Sequence, residues 1–283
     1  MDPRTQKRII IALVYVLLIF SVGAGSRVLY SHFHPYVAPG TCFDGIQNQN
    51  ETGIDCGGVC SSCASVTQSF LQKIQVHWTK TFEAQAGVYD LAAEIQNPNF
   101  TYGSEDVEYH FEILDSTGKQ IQSVPGKTFI LPQETRSVVM QAVALQAPPA
   151  QAVLHVDAVL WQRIIGFSNS GIHVDNRQVQ IVQNDPNVFA RMSGIVANDS
   201  PYDLRSIEVN MVAYNASGDP IAVNRTDIQT VKSGEKRQVE VIVPHPFSGT
   251  INRFTIFGYS DFFTIQNFIA QHTTEEKFQQ YYQ

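Results

Sequence analysis

Val107–Ile121 reads VEYHFEILDSTGKQI and Ile207–Ile221 reads IEVNMVAYNASGDPI. In the first stretch Val107, Tyr109, Phe111 and Ile113 alternate with Glu108, His110 and Glu112. In the second, Ile207, Val209, Met211 and Ala213 alternate with Glu208, Asn210 and Val212. A period of two is the repeat of a β-strand, so each stretch predicts an antiparallel strand with one buried face and one wet face. Each strand then meets a glycine turn, DSTGKQ or NASGDP, before the chain resumes at Ile121 or Ile221.

The likeness of these stretches is part of a longer repeat. Sliding the chain by 100 positions lays GVYDLAAEIQNPN over NVFARMSGIVAND, with Val88 on Val188, Tyr89 on Phe189 and Ile95 on Ile195. ETRSVVM and EKRQVEV continue the match with a slip of one residue. A unit of about 100 residues can bury its own core, so the repeat is a domain and not a solenoid coil. Aromatic and β-branched strands with frequent turn signals read as sandwiches. One is expected over residues 66–167 and the other over 172–268, with the Gly/Ser/Asn-rich GFSNSG at Gly166–Gly171 as a hinge and a polar, frayed tail at 269–283. Phe111 and Met211 are expected to point inward, and Trp78 and Trp161 to pack in a core or interface.

The N-terminus carries a different signal. Arg4, Lys7 and Arg8 precede an uncharged apolar run from Ile9 to Ser26, and Arg27 closes it. Eighteen helical residues span roughly 27 Å, close to the hydrocarbon thickness of a bilayer. The positive-inside rule leaves residues 1–8 as a cytoplasmic stub, makes 9–26 a transmembrane anchor, and sends the rest out through a linker over 27–41. The competing reading is a cleaved signal peptide, with small residues at Val22-Gly23-Ala24.

All four cysteines lie in CFDGIQNQNETGIDCGGVCSSC, Cys42 to Cys63, a module of 22 residues too short for a hydrophobic core. Cys42, Cys56, Cys60 and Cys63 in a cytosolic chain would suggest an all-thiolate zinc site; outside a membrane they suggest two disulfides, in any of three pairings. Asp44, Asn48, Asn50, Glu51 and Asp55 form a candidate calcium set, and equally a set of turn caps.

Two resemblances follow from these residues. GIVANDS, IEVNMVAYNASGDPI, KSGEKRQ, VPHPF and FTIFGY resemble FxLYD-type immunoglobulin-like domains of bacterial surface proteins, although the literal F-x-L-Y-D string is absent. The cysteine run is similar to short C-x-D-G-x-x-N-x-x-E-x-x-x-D-C-G-G-x-C modules of surface proteins, and every named position is matched. The resemblance implies an all-β chain of two tandem Ig-like sandwiches behind one transmembrane helix and a small disulfide-rich module, located in the cell envelope. It implies no reaction.

The remaining sequence bounds function by exclusion. A formal charge of -7 leaves no basic stripe for phosphates, so nucleic acid is not an expected partner. Metalloprotease, nucleophile-elbow, P-loop and dinucleotide motifs are all missing. The expectation is a non-enzymatic, membrane-anchored interaction or spacer protein that meets a protein or an envelope glycan, with a glycan-binding module or an accessory subunit of a membrane machine as alternatives. Five N-x-S/T sequons begin at Asn50, Asn99, Asn198, Asn215 and Asn224 and are either glycan acceptors or plain loop composition.

Overall fold

The structure, a computed structural model, describes residues 71–182, 185, 188–243, 247 and 249–282. It also describes Arg4, Tyr15, Leu17, Ser21, Gly23, Cys42, Gln47, Asn48, Asn50, Glu51, Gly58, Val59 and Cys60. The chain divides into two compact units, Met1–Leu71 and Gln72–Gln283.

The larger unit is built of antiparallel strands. The first repeat supplies β1 (Gln75–Gln85), β2 (Val88–Gln96), β3 (Tyr102–Leu114), β4 (Gln120–Ile130), β5 (Thr135–Ala144) and β6 (Gln151–Ile164). The second supplies β7 (Ile172–Ile181), β8 (Ala190–Asn198), β9 (Leu204–Tyr214), β10 (Pro220–Val231), β11 (Lys236–Val243) and β12 (Arg253–Tyr259). A 3-10 turn at Phe262–Thr264, the helix α1 (Gln266–His272) and a last strand β13 (Thr273–Tyr281) complete the chain. The sheets run β1-β2-β5 and β13-β6-β3-β4 in the first half, and β11-β8-β7 and β10-β9-β12 in the second. Apart from β13, the two halves share one strand order.

The alternation found in the sequence places the cores. Val107, Tyr109, Phe111 and Ile113 are buried on β3, and Ile207, Val209, Met211 and Ala213 are buried on β9. Phe111 and Met211 both point inward, each 0% exposed. The expectation of one wet face holds for β3 but not for β9, where Asn210, Val212 and Tyr214 are buried too. Ala92 and Val139 on sheet β1-β2-β5 pack against Val212, Tyr214 and Val223 on sheet β10-β9-β12, with Trp78 and Phe82 beside them. The second face of β9 is therefore covered by the other half, and burial there removes apolar area from water just as in a core.

The repeats also share their hydrogen-bonding devices. Asn97 donates to Tyr102 O and Leu131 O, and Asn198 donates to Tyr202 O and Val231 O. Glu134 accepts the Leu131 N–H at 2.8 Å, and Glu235 accepts the Lys232 N–H at 2.8 Å. Arg136 donates to Phe129 O and Arg237 to Gln229 O, each at 2.7 Å. These pairs satisfy backbone groups where β4 and β10 end and β5 and β11 begin. In the glycine turns, Asp115 accepts the Lys119 N–H and Asn215 accepts the Asp219 N–H, while Gly118 and Gly218 take φ of 80° and 85°.

Three expectations change. The tail is not frayed: β13 pairs with β6, Phe278 opposite Trp161 and Tyr281 opposite Ala158, because its backbone satisfies an otherwise open sheet edge. Gly166–Gly171 is not a free hinge, since Phe167 packs at 5.5 Å from Phe268 and 6.0 Å from Phe262, and the Ile165 N–H donates to His272 O. The halves are consequently not closed units, and the chain's last strand belongs to its first sandwich. Most of the run Ile9–Ser26 lies outside the described residues; Tyr15, Leu17, Ser21 and Gly23 within it are helical and exposed. Among the described residues no helix is long and apolar enough to cross a membrane.

Candidate functional site

The two halves meet on a buried polar network. The Arg136 side chain is 1% exposed, and its guanidinium lies 4.0 Å from the Phe129 ring centre and 4.8 Å from that of Tyr259. Its Nη2 is 3.3 Å from Glu208 Oε1, which also accepts from Asn210 Nδ2 at 2.6 Å. Asn210 Nδ2 donates to Ser137 O, and the Ser137 N–H donates to Tyr259 Oη. Burial raises the Tyr259 phenol well above its ordinary value against the opposing charge of Arg136, and raises the Glu134 carboxyl while Arg136 pulls it down. These groups join β5 of the first half to β9 and β12 of the second, which fixes the two sandwiches as neighbours.

The ends of the unit are joined as well. The Ile74 N–H donates to Tyr282 Oη at 2.7 Å, Lys73 Nζ stands 5.1 Å from the same ring, and Trp161 Nε1 donates to Gln280 Oε1 at 2.7 Å. The residues just before β1 and the C-terminal strand are thus held at one place. Burial pushes the Tyr282 phenol up to about 12.

Two cavities open beside this frame. The larger, about 420 Å³, is lined by Glu105, Asp106, Lys127, Phe129 and Asp261. Its acids have local tasks: Lys277 takes Glu105 at 2.6 Å, Lys127 takes Asp106 at 3.1 Å, and Asp261 accepts the Phe263 N–H at 3.0 Å. Asp261 is raised by burial, with Glu105 adding to the effect. The smaller, about 240 Å³, has an aromatic wall of Phe167, Tyr202, Phe262 and His272 and a rim carrying Asn169 and Asp199. Both arrangements can bind a polar solute, and in the smaller the Tyr202 hydroxyl lies 3.1 Å from His272 Nε2.

The cysteine module is seen in part. Cys42 and Cys60 form a disulfide, which removes both thiolates from the zinc alternative. Cys56 and Cys63 lie outside the described residues, as do Asp44 and Asp55 of the calcium set. Glu51 is buried; its Oε2 accepts the Asn48 N–H at 3.1 Å, and its Oε1 sits 3.1 Å from Cys60 Sγ, which being bridged has no proton to give. The Glu51 N–H donates to Asn48 O, closing the turn, and Asn50 is exposed at φ 66°. The described part of the set is thus engaged in turn capping.

Sequence reasoning placed Glu208 on a wet face and gave no role to Arg136, Tyr259 or Tyr282. The repeated E-x-R of ETR and EKR was the signal that marked Arg136. Two sequons are structural: Asn99 and Asn198 are buried, with their amides committed to Gln72 O and Asn97 Oδ1, and to Tyr202 O and Val231 O.

No family model matches the chain, and no curated protein matches it. Among solved structures, it is compared with the transglutaminase of red sea bream at 12% identity and a TM-score of 0.20, over 70% of this chain and 30% of that one. A likeness of that size carries no argument about fold or activity.

Proposed function

We propose that the protein is a non-enzymatic arm of the cell envelope. Ile9–Ser26 anchors it with the N-terminus in the cytoplasm, the disulfide-rich module of Cys42, Cys56, Cys60 and Cys63 follows outside, and a pair of Ig-like sandwiches presents a surface to a protein or glycan partner. The observation that carries this reading is the joining of Ile74 to Tyr282. The start of the folded body, at Ile74, is held beside its last strand, as suits an arm displayed from one anchor. The strand order β1-β2-β5 over β4-β3-β6 supports an Ig-like topology, with β13 as an added strand. The disulfide between Cys42 and Cys60 supports an oxidising compartment. The helical state and exposure of Tyr15 and Leu17 suit a lipid-facing helix. In the cysteine module Glu51 acts as a turn cap, and calcium is not required of it.

Membrane fractionation followed by protease treatment of intact cells or spheroplasts tests the proposal. The full chain should sediment with membranes and lose both sandwiches to external protease. A soluble chain beginning at Gly25 removes the anchor, and full protection from external protease removes the topology. The aromatic wall of Phe167, Tyr202 and His272 favours a second reading, a small glycan site at the seam. Binding on a panel of envelope saccharides, lost in Phe167→Ala, would establish it.

A further inference from the structure

Three donor atoms of the cysteine module converge. Cys42 Sγ, Cys60 Sγ and a Glu51 carboxylate oxygen all lie within 4.8 Å of one another. The module's turn builds this arrangement. The Asn48 N–H donates to Glu51 Oε2 at 3.1 Å, the Glu51 N–H donates to Asn48 O, and Gln47 Nε2 donates to Glu51 O. Glu51 is thereby buried, 7% exposed, with Oε2 used as a cap and Oε1 turned to Cys60 Sγ at 3.1 Å. Between an ionised carboxylate and a bridged sulfur there is no proton to share. Turn capping thus accounts for one carboxylate oxygen and not for the aim of the other.

We propose that the module is a redox-gated metal site: with the Cys42–Cys60 bridge reduced, Cys42 Sγ, Cys60 Sγ and Glu51 Oε1 bind a zinc ion, and with the bridge formed they bind none. A dithiol supplies the reduction. It gives two electrons and two protons to the disulfide, becomes a disulfide itself and leaves two thiols, whose protons the zinc ion then displaces to solvent. Zn–S near 2.3 Å and Zn–O near 2.0 Å at tetrahedral angles need about 3.8 Å between the sulfurs and about 3.5 Å from sulfur to oxygen. Rotation of Cys42 about its Cα–Cβ bond parts the sulfurs and leaves Glu51 Oε1 beside Cys60, so the contact that defines the site survives the change. Two thiolates select zinc over calcium and magnesium, which take oxygen ligands. The Asn48 N–H on Oε2 orients the carboxylate as an outer hydrogen bond does at a metal. Three protein ligands leave a fourth position for water or a partner's donor. Oxidation closes the bridge and releases the ion, which couples metal content to thiol state.

The test is titration of the full chain in detergent with cobalt chloride and then zinc chloride, before and after reduction by dithiothreitol and its anaerobic removal. The reduced chain should take up one cobalt ion with thiolate-to-cobalt charge-transfer absorption, which zinc bleaches, and the oxidised chain should take up none. Glu51→Gln keeps an acceptor for the Asn48 N–H, and its affinity should fall by more than the roughly tenfold that losing an outer partner costs. X-ray absorption at the zinc edge of the unsubstituted, reduced chain gives a readout free of any variant's folding, and should show two sulfur neighbours with oxygen completing the shell. No saturable uptake by the reduced chain, uptake undiminished in Glu51→Gln, or a shell of four sulfurs overturns the proposal.

Discussion

Arg136 of the first repeat reaches Glu208 of the second at 3.3 Å, and the arginine is almost wholly buried. Its counterpart Arg237 makes the same backbone contact but stays at the surface, paired with Glu235 of its own turn. One inherited device has thus become the contact between the two halves. Removing one partner of a buried pair strands the other in a low-dielectric seam, so Arg136→Ala should cost about 3–5 kcal/mol in urea unfolding. Arg237→Ala should cost about 1 kcal/mol. Equal losses in the two variants would mean that the seam does not depend on this pair.

β13 supplies the first sandwich with a strand from the far end of the chain, across 119 residues in the case of Trp161 and Gln280. Deleting residues 273–283 uncovers the β6 edge and leaves the Trp161 and Ile74 N–H donors without their acceptors. The melting temperature should fall by several degrees, and both halves should respond because they share the seam. Tyr282→Phe removes one acceptor only and should cost about 1–3 kcal/mol. A truncated chain that melts like the intact one would show β13 to be dispensable.

The fold was legible where its cause is local. Alternation located β3 and β9, glycine and Asx residues located their turns, and the repeat located the second half from the first. The contact between the halves was not legible, because the pattern of β9 is written for its own core: Glu208 and Asn210 read as solvent-facing until Arg136 and Ser137 are placed against them. The tail misled for a related reason. TTEEKFQQY is polar because one face of β13 is wet, and its pairing with β6 is a matter of backbone, which composition does not record. In the cysteine module the density of sulfur predicted a staple, and one bridge, Cys42–Cys60, is seen. Its pairing followed from geometry that spacing alone does not fix.

Buried phenols set an alkaline limit. Burial holds Tyr109 and Tyr282 at about 12 in the folded chain, against 10 for a free phenol, and Tyr259 higher still. The folded state then keeps protons that the unfolded state releases, so stability is level below about pH 10 and falls as pH rises toward 12. The loss carried by Tyr109 alone is at most roughly 2–3 kcal/mol. Unfolding midpoints measured from pH 8 to 12 should show this decline, and Tyr109→Phe should make it shallower. A curve that stays level to pH 12 would place these phenols in contact with water.

The cysteine module gives a sharper test, through a glycine in its described part. Gly58 has φ +60°, and a Cβ there would lie 2.0 Å from Asn50 O, in the turn that carries Glu51 to the Cys42–Cys60 bridge. Neither the backbone angle nor the space admits a side chain. Non-reducing peptide mapping of the isolated protein should recover Cys42 linked to Cys60, leaving Cys56 and Cys63 for each other. Gly58→Ala should divert the chain to other pairings or free thiols. Glu51→Gln keeps an acceptor for the Asn48 N–H and should leave the map unchanged, and millimolar calcium should stabilise neither form against reduction. Cys42 recovered mainly with Cys56 or Cys63 would reject the bridge, and calcium-dependent protection lost in Glu51→Gln would make Glu51 a ligand and not a cap.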